Sequence, residues 1–166
     1  MGQGFNCQAT TSAGRILDAV SLFLGFAENE RKSKHEATRL LEKNSSMPYI
    51  DYELRIADCE SRKILDTTSL FEYLLRNICR DKKRLAATAQ LYLAKGLHRI
   101  LESIQDAKYK TPDTFLAGGL SNNRIISSFL ENKGAYVSKT IPRGDEGLAF
   151  GQILYYLLHE MNIPPA

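Results

Sequence analysis

Tryptophan is absent from this 166-residue sequence, and cysteine, histidine and methionine occur three times each. Cys7, Cys59 and Cys79 are odd in number, far apart and without a CxxC pair, which argues for a reducing compartment and against a disulfide framework or a cysteine zinc site. His35, His98 and His159 form no HxxxH or HExxH and have no Asp or Cys at metal spacing, so none is assigned as a metal ligand. No run approaches the roughly eighteen apolar residues of a membrane-spanning helix, and the start MGQGFNCQATTSAGR lacks a charged segment followed by an apolar one. A cytoplasmic protein with no membrane partner is expected. An excess of one charge is lacking too: the net charge is +3, with acids and bases interleaved. Without a basic stripe carrying aromatics, no nucleic-acid partner is expected, although the mild basic balance suits a phosphate-bearing ligand or an acidic partner.

What is present suffices for one compact domain, since a chain of this length buries roughly 70% of its unfolded surface without a staple or metal. Residues 1–11, rich in Gly, Gln and Thr, read as an N-terminal arm, and residues 12–166 as a single domain. Ser12 is placed to cap a helix from about Ala13 to Phe26, and a second helix is expected from about Lys34 to Lys43. In SMPYIDYELRI, apolar Ile50, Tyr52, Leu54 and Ile56 alternate with Asp51, Glu53 and Arg55, which predicts a strand with one wet face, turning at Cys59–Arg62 into a short strand Lys63–Leu65. Helical period returns over TTSLFEYLLRNI and again from about Lys83 to Asp106. The last third reads as strand Phe115–Ala117, helix Asn122–Asn132, strand Tyr136–Thr140 and, after Gly144, a last helix through His159. That order implies parallel strands with a ligand at their carboxyl ends, the edge where both glycine turns fall.

Each turn supports two readings. Gly118 and Gly119 let backbone approach a ligand and the following helix offers N–H groups to an anion; equally, a Gly-Gly pair makes a tight turn. Asn122 and Asn123 suit either a sugar or base contact or a helix cap. Asp145, between Gly144 and Gly147, is placed to hold a divalent metal bridging phosphates, or to cap the last helix with Glu146 in its first turn. Arg15 and Asp18, three residues apart on one helical face, suit a surface ion pair or a phosphate and ribose contact.

The motifs resolve these choices only through resemblance. TTSAGRILDAVSLFLGF, EATRLLE, AQLYLAKGL, AGGLSNNRII and IPRGDEGLAFGQ occur in the order, and resemble the motifs, of the C-terminal half of the carbamoyltransferase domain of the hydrogenase maturation factor HypF family. The resemblance covers nearly the whole chain. It implies an α/β fold: the second half of an actin-like, sugar-kinase-like (ribonuclease H-like) ATPase domain, with a large helical layer and a small mixed sheet. It implies ATP or an adenylate with Mg²⁺ as cofactor, and transfer of a carbamoyl group from carbamoyl-adenylate to the C-terminal cysteine of a hydrogenase maturation protein. Ser12, Arg15, Asp18, Gly118, Gly119, Asn123 and Gly147 would then line the nucleotide site, with Asp18 near the ribose and Asp145 at the metal and phosphates.

This sequence departs from the family pattern at defined positions. Ser33, Lys34 and His35 stand where the family has Tyr-Glu-Gly, Tyr92 where it has a histidine, Gly144 where it has Asn, and Glu146 where it has Gly. The first half of the family's fold, with its metal-binding HxxxH, has no counterpart in these residues. Two expectations follow: a nucleotide-binding half-module that works with a partner chain supplying the first half, or a non-catalytic interaction or regulatory protein that covers the apolar face as a homodimer.

Overall fold

The computed structural model describes residues 11–30, 32–59, 62–105 and 114–160. The arm 1–11 therefore lies outside the described residues except for Thr11. Helix α1 (Ala13–Phe23) starts where Ser12 Oγ accepts the Arg15 amide at 3.4 Å. It stops three residues short of Phe26 because Gly25 turns left-handed (φ 78°) and the amides of Gly25 and Phe26 fold back to the carbonyls of Leu22 and Ser21. Helix α2 is Glu36–Lys43, later than expected because His35 takes φ 65° instead of a helical value.

The alternating segment is a strand only at its end. β1 (Ile56–Cys59) pairs antiparallel with β2 (Arg62–Leu65), while residues 49–55 belong to no strand and bend at Tyr52. The two-residue period survives only in part as burial: Tyr52 and Leu54 pack on the core and Asp51, Glu53 and Arg55 face solvent, but Ile50 is 79% exposed. Side chains replace the ladder here, with Tyr49 N–H donating to Thr88 Oγ1 at 2.8 Å and Arg55 N–H to the Tyr92 hydroxyl at 3.4 Å.

Helix α3 (Thr67–Arg76) is capped by Asp66, whose Oδ1 accepts the Thr68 and Ser69 amides at 2.9 and 3.2 Å. Helix α4 (Lys82–Gln105) is the axis of the domain. Leu85 through Gln90 are buried without interruption, so this stretch is enclosed on every side instead of presenting one apolar stripe. Leu17 and Val20 of α1 with Leu24 just after it, Leu41 of α2, Leu70 and Leu74 of α3, and Ile126 and Leu130 of the next helix close the core around it.

β3 (Phe115–Leu116) and β4 (Tyr136–Val137) pair in parallel through α5 (Arg124–Glu131), as the strand-helix-strand order requires. A 3-10 turn (Gly119–Asn122) precedes α5, which therefore starts after Asn123 and not at Asn122. Helix α6 (Glu146–Glu160) follows the second glycine turn. The fold is thus α/β with a dominant helical layer. Its strands show both pairing senses, but in two separate two-stranded sheets.

Candidate functional site

Four segments distant in sequence converge at the start of the helices. The N-terminus of α1, the loop and first turns of α2, the 3-10 turn before α5, and the turn 142–146 enclose a cleft of about 820 Å³. Ser12, Gly119, Asn123 and Asp145 line it. Gly118 and Gly147 lie behind the 142–145 turn, on a second and more apolar cavity of about 890 Å³ beside Leu148 and Tyr155. Both glycines have backbone duties there: Gly118 holds φ 86° while its amide donates to the Arg143 carbonyl at 2.6 Å, and a Cβ on Gly147 would collide with the Pro142 carbonyl. Gly119 differs, since a Cβ there meets open space.

Asp18 stands one side chain back from the cleft. Its Oδ1 accepts the hydroxyl of Thr38 at 2.8 Å, and Thr38 is the residue on the wall. Arg15 is exposed and outside the lining.

Asn123 turns inward. It is 3% exposed, its Oδ1 accepts the Ile126 amide at 3.0 Å as the cap of α5, and its Nδ2 donates to Gln90 Oε1 at 2.7 Å. Gln90 passes the network on by donating to Ser45 Oγ at 2.6 Å and the Ala86 carbonyl at 2.9 Å. The free N–H groups expected at the start of this helix are also partly taken, because Glu42 Oε1 accepts the Arg124 amide at 2.8 Å. A carboxylate of the protein thus occupies part of the position a phosphate would use, for the same reason: amides and helix dipole favour negative charge. Arg143 braces the turn, donating to the carbonyls of Ser138 at 2.7 Å and Ser121 at 3.2 Å.

At the mouth, Lys34 Nζ meets Asp145 Oδ2 at 2.9 Å. The hydrogen bond and charge of the lysine hold the Asp145 carboxyl below the usual carboxylate range, and the same contact raises the Lys34 ammonium. Both side chains are over 70% exposed, so water screens the pair and it adds little to stability. This chain alone does not supply a donor set for a resident divalent ion. Asp145 is bonded to an ammonium and neighboured by His35, and no cluster of three or more His, Cys, Asp or Glu suited to a metal occurs among the described residues.

Lys34, Thr38, Arg39 and Glu42 were not singled out from the sequence as site residues. A signal was available: His35, Thr38, Arg39 and Glu42 recur at i, i+3, i+4 and i+7, a polar stripe on the side of α2 away from buried Ala37 and Leu41.

Comparison with known proteins places this geometry. A family model described as "Carbamoyltransferase, Kae1-like Domain, second subdomain" matches residues 1–152. A probable carbamoyltransferase HypF of Methanocaldococcus jannaschii is 34% identical over 164 residues, which is 92% of this chain and 20% of the relative. Carbamoyltransferase HypF of Rhodobacter capsulatus is 28% identical over 155 residues, again 92% of this chain and 20% of the relative. The chain therefore spans about a fifth of the length of these curated relatives. The crystal structure of T.kodakarensis HypF superposes with a TM-score of 0.71 at 25% identity, covering 91% of this chain and 20% of that one. A full-length HypF in a phosphate- and nucleotide-bound form gives a TM-score of 0.76 at 22% identity over 89% of this chain and 21% of that one, a likeness of fold. Since the matched region takes in every segment that forms the cleft, the chain belongs to the family of Kae1-like carbamoyltransferase second subdomains, the C-terminal region of HypF proteins.

Proposed function

We infer that this chain is the nucleotide-binding half-module of a hydrogenase-maturation carbamoyltransferase, acting in the cytoplasm with a partner that supplies the first half of an actin-like ATPase fold. One observation carries the reading. The motif segments 12–14, 34–42, 119–123 and 142–146 share no proximity in sequence, yet they frame a single cleft large enough for a nucleotide. In this reading the adenosine lies along Ser12, Gly14 and Gly119, and the phosphates reach the mouth where Asp145 stands. Asp18 acts from behind, by fixing the hydroxyl of Thr38. Asn123 contributes as the residue that holds the wall in place, because both ends of its amide are engaged internally.

Physics as well as family calls for a first half of the fold to complete the site. A cleft walled on one side cannot orient ATP, a carbamoyl donor and an acceptor cysteine, nor exclude water from a carbamoyl-adenylate. Leu148, Ile153, Tyr155 and Tyr156 of α6, each more than 60% exposed, and Phe115 and Tyr136 on β3 and β4 form the apolar surface for that partner. Calorimetric titration of ATP into the chain, with and without a HypF first-subdomain protein, tests the assignment: saturable binding that tightens with the partner supports it, and absence of binding in both mixtures overturns it.

A second reading, a non-catalytic homodimeric interaction module, draws on the internal engagement of Asn123, Glu42 and Asp145. It requires a stable dimer in solution with no affinity for nucleotide.

A further inference from the structure

Away from the cleft, the nine residues from Arg76 to Arg84 hold five bases and one acid, a net +4 against +3 for the whole chain. Lys82, Lys83 and Arg84 open α4, where the positive end of the helix dipole disfavours cations, and the first turn carries no acid. Helix stability therefore does not account for them. The acids nearby are already engaged: Asp81 Oδ1 accepts the Lys83 and Arg84 amides at 2.8 and 3.1 Å, and Asp51 accepts from the Tyr73 hydroxyl and Arg80 Nη1. The side chains of Lys82, Lys83 and Arg84 form no ion pair among the described residues. Two of the guanidiniums are held in place: the Cζ atoms of Arg80 and Arg84 lie 3.6 and 4.0 Å from the centroid of the Tyr49 ring. Arg84 Nε also donates to the Met47 carbonyl at 3.0 Å, which leaves both its terminal NH2 groups without a hydrogen-bond partner among the described residues. On either side of Tyr49 in the same loop, Met47 and Ile50 are 77% and 79% exposed.

We propose that Arg84, stacked on Tyr49 and preceded by Lys82 and Lys83, is the centre of a docking site for an acidic segment of a partner protein, its guanidinium receiving a carboxylate while Met47 and Ile50 meet apolar residues beside it. The chemistry follows from how the arginine is held. A guanidinium fixed by a ring and by one backbone contact loses little further freedom on binding, and its remaining donors match the paired oxygens of a carboxylate. An anionic membrane surface asks for no such orientation, since mobile lysines close to it serve as well. The amides of this turn are not the site, because Asp81 already takes two of them. None of these residues lines the cleft and all belong to this chain, so the site neither needs a nucleotide nor waits for the first half of the fold.

The test is fluorescence anisotropy of the full 166-residue chain with a labelled Glu-rich peptide carrying two leucines, beside the same peptide with Gln for every Glu and beside vesicles of phosphatidylserine and phosphatidylcholine. The Glu peptide should bind saturably and the Gln peptide should not. Arg84→Gln should weaken the Glu peptide about tenfold, the loss of one charge-assisted contact. Tyr49→Leu keeps every charge and should still weaken it several-fold, because the stack that orients Arg84 is gone. Arg99→Gln removes an exposed cation further along α4 and should change the affinity less than about twofold. Circular dichroism checks that each variant is folded, and Arg84→Gln, which keeps part of the aliphatic stem, carries the test if Tyr49→Leu does not fold. Absence of binding, equal binding of the Glu and Gln peptides, or equal losses in Arg84→Gln and Arg99→Gln overturns the proposal. Vesicles that bind the chain where the Glu peptide does not would assign the patch to a membrane surface and overturn it as well.

Discussion

Asn123 and Gln90 are joined by a buried amide-to-amide hydrogen bond of 2.7 Å that ties the start of α5 to the middle of α4. The same Asn123 caps α5 through its oxygen, so one side chain sets both the helix start and its position on the core. Removing it has two separable consequences. Asn123→Ala should lower stability by about 2–4 kcal/mol, the sum of a lost N-cap and an unsatisfied buried acceptor on Gln90. Asn123→Asp keeps the capping oxygen but turns a donor into an acceptor facing Gln90 Oε1, so it too should destabilise; urea denaturation measures both. Wild-type stability in Asn123→Asp would show that the Gln90 contact contributes nothing.

Relief of the left-handed residue gives a change of the opposite sign. His35→Gly should raise stability by about 0.5–1 kcal/mol, since the αL penalty of a side chain exceeds the extra chain entropy of glycine. Thermal melts should show a higher midpoint for the variant. A lower midpoint would mean that the imidazole makes contacts that outweigh its backbone strain.

Acid sensitivity follows from the cap of α3. The Ser69 hydroxyl at 2.5 Å, helped by the Ser69 and Thr68 amides, holds the Asp66 carboxyl below its ordinary value of 3.8. A depressed folded value means that the contribution is complete above the ordinary carboxylate range and is lost as pH falls through the folded value. Asp66→Ala should therefore cost about 1 kcal/mol at pH 7 and progressively less below about pH 4, where the wild type protonates. Stability curves of the two proteins that stay parallel down to pH 2 would contradict this. Asp51, lowered by Tyr73 and Arg80, adds to the same acid limb in the wild type.

Helix α6 should behave as a surface built for something else. Ile153 and Tyr156, both 61% exposed, bury little in the isolated chain, so Ile153→Asp with Tyr156→Asp should change stability by under about 1 kcal/mol. The double variant should nonetheless lose association with a first-subdomain partner, read by analytical ultracentrifugation. Retained association would move the interface away from α6.

How far the sequence reached depended on the kind of signal. Helices with one apolar face were legible to within a few residues, and so was the parallel strand pair, because strand-helix-strand order with short links admits few alternatives. Over residues 49–55 the alternation points to a strand that does not form, because packing of Tyr52 and Leu54 on the core gives the same local pattern as pairing in a sheet. Among the cleft-lining residues, Ser12, Gly119, Asn123 and Asp145 lie in segments that motif resemblance marks, whereas Lys34 and Glu42 make contacts 111 and 82 residues away, which no local pattern encodes. Gly118 and Gly147 serve as turn residues beside the second cavity, while Gly119 lines the cleft.

The central claim is that the cleft between α1, α2 and the 119–123 turn holds a nucleotide. Gly119 offers a direct test, since a side chain there enters open space on the cleft wall and does not disturb packing. ATP titrated into wild type and Gly119→Leu, with the first-subdomain partner present and melting temperatures compared, should show saturable binding to the wild type that disappears in the variant at unchanged stability. Equal binding by the two proteins, or none by the wild type, would contradict the account.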